Sequence, residues 1–321
     1  MRAVAKRSFG AQSFLWMFTI CTIQEMCSTL RIRHNINAEC SSKYQNIDTM
    51  IRLVGNRATE LNIDHIREVP WETRNLRRPA FELDNGSIEV NVLRSSLDRI
   101  TSDIGADFFV QAKVPSIEKR KVAMLESVGF RFAEMSLDPS LRIPYSDILV
   151  DYEISPEKFL KSSSDVKFLS NECGSVVDLS EATRNEIVRV STTVFKDDRF
   201  HMDPNCPSVL ADERIGLWVK EDLLTDKNVL CTLLRFRERL VGYIIWKGER
   251  FILGGISQGF LGKGFAKALY LQTLLDVKRY GVEEISATIS VNNISVLNLY
   301  SRLGFSFGKP TYLLHYWGSL N

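Results

Sequence analysis

The chain has 321 residues, 45% of them apolar and 25% charged, enough for one large folded domain or two ordinary ones. Its 41 basic and 39 acidic side chains leave a net charge of +2, which argues against a dedicated nucleic-acid binder. Only four histidines are present, and none of the six cysteines forms a C-x-x-C pair or stands at ligand spacing, so a metal site is not expected and the thiols read as reduced, in a cytoplasmic protein.

At the start, Arg2, Lys6 and Arg7 precede "SFLWMFTICTI" (13–23), an apolar run of signal-peptide length. It is short for a membrane-spanning helix, and no small-x-small cleavage site follows. Three readings of residues 1–48 stay open: a signal-like leader, a helix touching a membrane through residues 9–27, and an extension that packs on the domain or is disordered. The remainder of the chain looks intracellular, which favours the extension.

Further along, two stretches match. "KVAMLESVGFRF" (121–132) aligns with "SVLNLYSRLGFSF" (295–307), with Gly129 and Gly304 standing 175 positions apart. At the same offset the apolar run "DFFVQAKV" (107–114) aligns with "VEEISATI" (282–289). Each copy reads as strand, short loop, amphipathic helix, Gly-Phe turn and strand. The glycine sits where a helix C-terminus needs positive φ. The first copy has Leu125 opposite Tyr300 and Glu118 opposite Asn293, and nothing near 85–95 matches the glycine-rich stretch of the second. Residues 49–145 therefore read as a degenerate half. Three prolines and a Ser-Ser-Ser run across 139–164 mark a boundary, and residues 146–175 are taken as a linker.

In the second half, Ser180 is a good N-cap for a helix with Ile187, Val190 and Val194 at helical spacing. A polar loop, "KDDRFHMDPNCPS" (196–208), follows, and a second helix is predicted over 209–224. Next come three strand-like runs, 228–236, 240–246 and 250–257, parted by tight turns, which predict an antiparallel meander. The stretch "GFLGKGFAKALY" (259–270) then turns directly into a helix. A helix N-terminus offers unpaired N–H groups and partial positive charge, and glycine lets an anion approach them. The amides of Gly259, Phe260, Leu261, Gly262, Lys263, Gly264, Phe265 and Ala266 can hold an anion, most simply a diphosphate. A tight turn that needs glycine for geometry alone is the equal alternative. Lys263 is followed by Gly264, so this is no nucleotide P-loop.

"LGKGFA" (261–266) resembles the pyrophosphate loop of the GNAT acetyltransferase superfamily, Arg/Gln-x-x-Gly-x-Gly/Ala. Gly264 and Ala266 fill the small positions, and Leu261 stands where Arg or Gln is usual. "NISVLNLYSRLGF" (293–305) resembles the family's closing motif, Asn-x-x-Ala-x-x-x-Tyr-x-x-x-Gly-Phe, with Ser295 in place of Ala. The resemblance covers residues 180–320. It implies an α/β (α+β) chain with a GNAT-like mixed, mostly antiparallel central sheet flanked by helices. An incomplete GNAT-like half would precede an acetyl-CoA-binding domain at 176–321. It also implies acetyl-CoA as cosubstrate and no metal, with main-chain N–H groups near Gly254, Gly255 and Ile256 polarising the thioester carbonyl. Tyr300 would be the acid that protonates the thiolate, its alternative being a core helix residue. Asn293 would bond the coenzyme arm, cap its helix, or both.

Arg199, His201 and Asp203 alternate along the loop at which GNAT folds build the acceptor pocket, and are expected to share one face of an extended segment. Arg199 would contact phosphate or sugar, and His201 or Asp203 would orient the amine or relay its proton through water. Pinning the loop is the alternative for Arg199 and Asp203. With "VPWETRNLRRPAFELD" (69–84), this is similar to the dTDP-4-amino-sugar acetyltransferases, which implies a nucleotide-linked amino sugar as acceptor. Another small amine (amino acid, polyamine or antibiotic), a silent coenzyme-binding or scaffold protein, and a homodimer remain open.

Overall fold

The computed structural model describes residues 65–84, 86–143 and 169–319. The 1–48 extension, its apolar run, and residues 146–168 of the expected linker lie outside the described residues. The described part of that linker, 169–175, is a strand.

Two sheets organise the described chain. The first half begins with β1 (Ile66–Glu68), α1 (Pro70–Leu76), β2 (Ala80–Leu83) and α2 (Val90–Ile104). It continues with β3 (Phe108–Pro115), α3 (Lys119–Ser127), β4 (Arg131–Leu137) and β5 (Pro139–Arg142). The second half opens on β6 (Leu169–Ser175). Then come α4 (Glu181–Val194) and α5 (Ser208–Leu217), the latter running on as a π-helical turn over Trp218–Leu223. As predicted, Ser180 caps α4, accepting from the Thr183 N–H. The meander is β7 (Leu230–Phe236), β8 (Arg239–Lys247) and β9 (Arg250–Ile256). The glycine turn leads into α6 (Phe265–Arg279). Last come β10 (Glu284–Ser286), β11 (Ile289–Ser290), α7 (Ile294–Arg302), β12 (Ser306–Phe307) and β13 (Thr311–Gly318).

The repeat read from the sequence is present in the backbone. Shifting α3 by 175 residues lands on α7. Each of these helices closes in the same way. Phe130 N–H donates to the Leu125 carbonyl and Phe305 N–H to the Tyr300 carbonyl, while Gly129 and Gly304 take φ of 106° and 86°. This is the glycine-closed helix end in which the N–H beyond the left-handed residue reaches back to the last full turn.

The halves exchange their last strands. The first sheet runs β1-β2-β3-β13-β4-β11 and the second β12-β5-β10-β9-β8-β7-β6. β13 lies antiparallel between β3 and β4 of the first half, and β5 lies antiparallel between β10 and β12 of the second. β10 and β11 share one run of chain but pair in different sheets.

Buried clusters cover both faces of the second sheet. β8 gives Val241, Ile244 and Trp246 to the cluster with α6 and α7, and Tyr243 and Ile245 to the cluster with α4 and the π-helical turn. In the first sheet, Phe108, Val110, Ala112 and Val114 of β3 pack with α2 and α3. Phe109 faces the other way, against Phe200 of the 196–208 loop and Ala211 of α5. Among the described residues no helix is long and apolar enough to cross a membrane.

Candidate active site

The parallel pairs of the two halves differ in one decisive respect. β2 and β3 are zipped over four residue pairs, from Ala80↔Phe109 to Leu83↔Ala112. β9 and β10 pair only at Arg250↔Ser286 and then part. The parting opens a cavity of ≈ 230 Å³ lined by β9, β11, α6, α7, residues 194–198 and Glu134 of β4.

β9 carries a bulge at the floor of this cavity. Ile245 pairs with Leu253 and Trp246 with Phe251, which leaves Ile252 as an extra residue. A bulge re-aims the strand beyond it. Past it, the Ser257 N–H turns toward β8 and donates to the Val241 carbonyl at 2.8 Å. Alternation along a strand puts the Gly255 N–H on that same side and turns those of Gly254 and Ile256 toward the side β10 has left. Space is tight at Gly254, where a Cβ would stand 3.3 Å from the Tyr270 hydroxyl and 3.2 Å from Ile244.

Beyond β9, Gly262 and Gly264 take φ of 69° and 85°, and no side chain caps α6. The first N–H groups of a helix have no partner within it. Those of Phe265 and Ala266 therefore open outward beside exposed Gly259, Gly262 and Gly264. Lys263 folds its ammonium back onto the Gly259 carbonyl at 2.6 Å, near the Phe260 ring. Leu261 is 54% exposed, so the departure from Arg or Gln leaves the turn's backbone shape to its glycines.

Inside, Tyr300 of α7 is 2% exposed, stacked on Phe305 at 4.3 Å, with its hydroxyl 3.4 Å from that of Tyr270 on α6. Burial and then the neighbouring Tyr270 push its phenol well above the usual value, so it keeps its proton at neutral pH. Asn293 caps α7, accepting from the Val296 N–H at 3.1 Å, and lines the cavity as well.

Arg199, His201 and Asp203 do not share one face, because the loop is folded into turns rather than extended. The Arg199 guanidinium meets the buried Glu72 of α1, which Arg214 also holds. Burial pushes the Glu72 carboxyl up, but the two guanidiniums outweigh it and hold it below the usual range. His201 bridges Asp198, at 2.6 Å from Nδ1, and Asp212, at 2.8 Å from Nε2. Asp203 accepts from His315 Nδ1 and Trp317 Nε1, both at 2.7 Å. The cavity wall carries their neighbours Lys196, Asp197 and Asp198 instead.

Sequence reasoning missed Glu134, Tyr270 and Asp198. Glu134 belongs to the degenerate half and reaches the cavity because β4 pairs with β11, at Ile289↔Leu137 and Ser290↔Ser136. Burial raises its carboxyl above the usual range, against the pull of Ser290 and Arg199. The local signal for Tyr270 is its helical spacing from Ala266; for Glu134 there is none.

No family model matches the chain, and no curated protein matches it. Solved structures do. A GCN5-related N-acetyltransferase from Sphaerobacter thermophilus superposes with a TM-score of 0.53 at 12% identity, covering 80% of this chain and 78% of that one. A tandem GNAT protein from the clavulanic acid biosynthesis pathway, solved without AcCoA, gives 0.50 at 9% identity over 75% and 76%. A functionally unknown conserved protein from Staphylococcus epidermidis ATCC 12228 gives 0.50 at 9% over 80% and 96%. The fold is a GNAT fold. At these identities the likeness is one of architecture, and the paired halves with their two mostly antiparallel sheets fall within it.

Proposed function

We propose that this chain is an N-acetyltransferase that moves acetyl from acetyl-CoA to a primary amine. The observation that carries the reading is the parting of β9 from β10, which opens a cavity lined by the buried phenol of Tyr300 beside the strand that leads into the glycine turn. The amides of 262–266 fit a diphosphate, and the free edge of β9 fits an extended amide-bearing arm. Bound there, the coenzyme supplies an acyl group activated as a thioester.

The chain's own groups divide the remaining work. The N–H groups of Gly254 and Ile256 are fixed donors for a carbonyl oxygen that gains negative charge, and such preorganised donors lower the barrier most where water is excluded. Glu134, held protonatable by burial, takes a proton from the acceptor ammonium. Tyr300 gives its proton to the departing sulfur. Arg199 and Asp203 act on the acceptor by holding the loop that presents Asp198. The looser sequence resemblance makes a nucleotide-linked amino sugar the first acceptor to test.

Thiol release from acetyl-CoA is measured with a dTDP-linked 4-amino sugar, spermidine, lysine and an aminoglycoside, and coenzyme binding by calorimetry. Binding with turnover on at least one amine is expected. Folded protein that gives no heat with acetyl-CoA sinks the proposal.

A further inference from the structure

Acetylation of an ammonium has a proton left over. One N–H proton must leave before nitrogen can bond to the acyl carbon. As the C–S bond breaks, Tyr300 protonates the sulfur, and the second N–H proton restores Tyr300. For each acetyl group moved, one proton has to travel from the cavity to water.

We propose that Asp198, His201 and Asp212 form the route by which that proton leaves. This rests on the function proposed above. Asp198 lines the cavity next to Glu134, whose carboxyl is bonded by the main chain of the adjoining Arg199. Its Oδ2 is 2.6 Å from His201 Nδ1, and Oδ1 accepts from the Phe200 N–H at 2.8 Å, which fixes the carboxylate's aim. On the far side of the ring, His201 Nε2 is 2.8 Å from Asp212 Oδ1. The His201 side chain is 5% exposed while that of Asp212 is 38% exposed, so the ring spans from the interior to the surface. Lys196 also contacts Asp212 and holds its carboxyl below the usual range, which favours passing a proton on to water over keeping it. The proton taken by Glu134 crosses to Asp198 and enters the ring at Nδ1. It leaves from Nε2 to Asp212 and then to solvent, and the ring's return to its first tautomer completes the cycle.

The competing role is a loop staple, since one bond braces residues 198–201 and the other ties them to α5. A staple affects every acceptor alike; a relay matters only for an acceptor that arrives protonated. The test uses the full chain and its His201→Gln and Asp212→Asn variants, each checked for an unchanged thermal transition. Acetyl-CoA turnover is compared for the best amine of the panel and for methoxyamine, which is already neutral at pH 7. His201→Gln should lower kcat on the ammonium acceptor by about 10-fold or more, the scale of a lost proton-transfer group. Methoxyamine turnover should stay within about twofold, and added imidazole should restore part of the loss. Should His201→Gln not fold, Asp212→Asn, on the exposed end, gives the same reading. Equal losses on both acceptors, no loss in a folded variant, or no imidazole rescue overturns the relay and leaves the acetyltransferase standing. A wild-type chain that acetylates no panel amine overturns both.

Discussion

At the scale of residues, the site sets two buried titratable groups in one cavity: burial keeps the proton on Tyr300 and raises the proton affinity of the Glu134 carboxyl. Tyr300→Phe keeps the stack on Phe305 and the core volume, and removes only the hydroxyl. It should cost about 10²-fold or more in kcat, with the KM for acetyl-CoA little changed, because in the proposed reaction the lost interaction belongs to the departing thiolate. Steady-state kinetics and a thermal melt check this together. Glu134 gives a prediction with a sign in pH. Burial raises its carboxyl, so between the ordinary and the raised value the folded chain holds a proton that the unfolded chain has lost. Its contribution to stability is therefore full at low pH and fades as pH rises through the raised value. Glu134→Gln should be at least as stable as wild type at neutral pH and should lose the acid-side gain, while turnover falls. Thermal melts at mildly acidic and neutral pH decide it. Glu72 runs the opposite way. Its lowered carboxyl stabilises the fold at neutral pH, and that contribution is lost as pH falls through the lowered value. Glu72→Gln strands two guanidiniums, Arg199 and Arg214, against a neutral partner, and should cost about 3–5 kcal/mol by denaturant unfolding.

At the scale of elements, much of the proposed coenzyme end was legible in the sequence and little of the proposed acceptor end was. The meander, the glycine turn and α6 are local: the turns need positive φ, the helix needs its period, and both leave marks within a few residues. The same holds for the α7 end, where Gly304 and Phe305 announce the closing turn. The bulge at Ile252 left no such mark, because it arises from register against β8. Glu134 was illegible for a stronger reason: it comes from the other half, across the β4–β11 pair. Arg199 and Asp203 were expected on one face of an extended segment, but in the folded loop Arg199 pairs with Glu72 and Asp203 with His315 and Trp317. The legible part makes its own test. Gly264 holds φ at 85°, where any other residue is strained by about 1–2 kcal/mol. Gly264→Ala should lower stability by that amount and also weaken acetyl-CoA binding, as calorimetry would register, since the strained residue is the N-cap of α6.

At the scale of the whole molecule, the strand exchange makes each sheet depend on the far end of the other half. β13 sits wholly in the first sheet, where it is the central partner of β3 and β4. β4 in turn pairs with β11 and leads directly into β5, which fills the second sheet between β10 and β12. Removing residues 311–321 therefore does more than trim an edge. It takes the centre from the first sheet, frees β4, and with β4 loosens both β11 and the strand that spaces β10 from β12. The cavity, whose walls include Glu134 of β4 and Ser290 of β11, should be lost although the glycine turn and Tyr300 lie upstream of the cut. A milder version is Leu314→Ala, which empties a fully buried position of β13 and should cost about 2–5 kcal/mol. Because the halves share strands, that loss should appear as one cooperative transition moved to lower denaturant, with amide protection falling together in β3 and β9. Two separated transitions, with only the first sheet weakened, would mean that the halves fold independently despite the exchange.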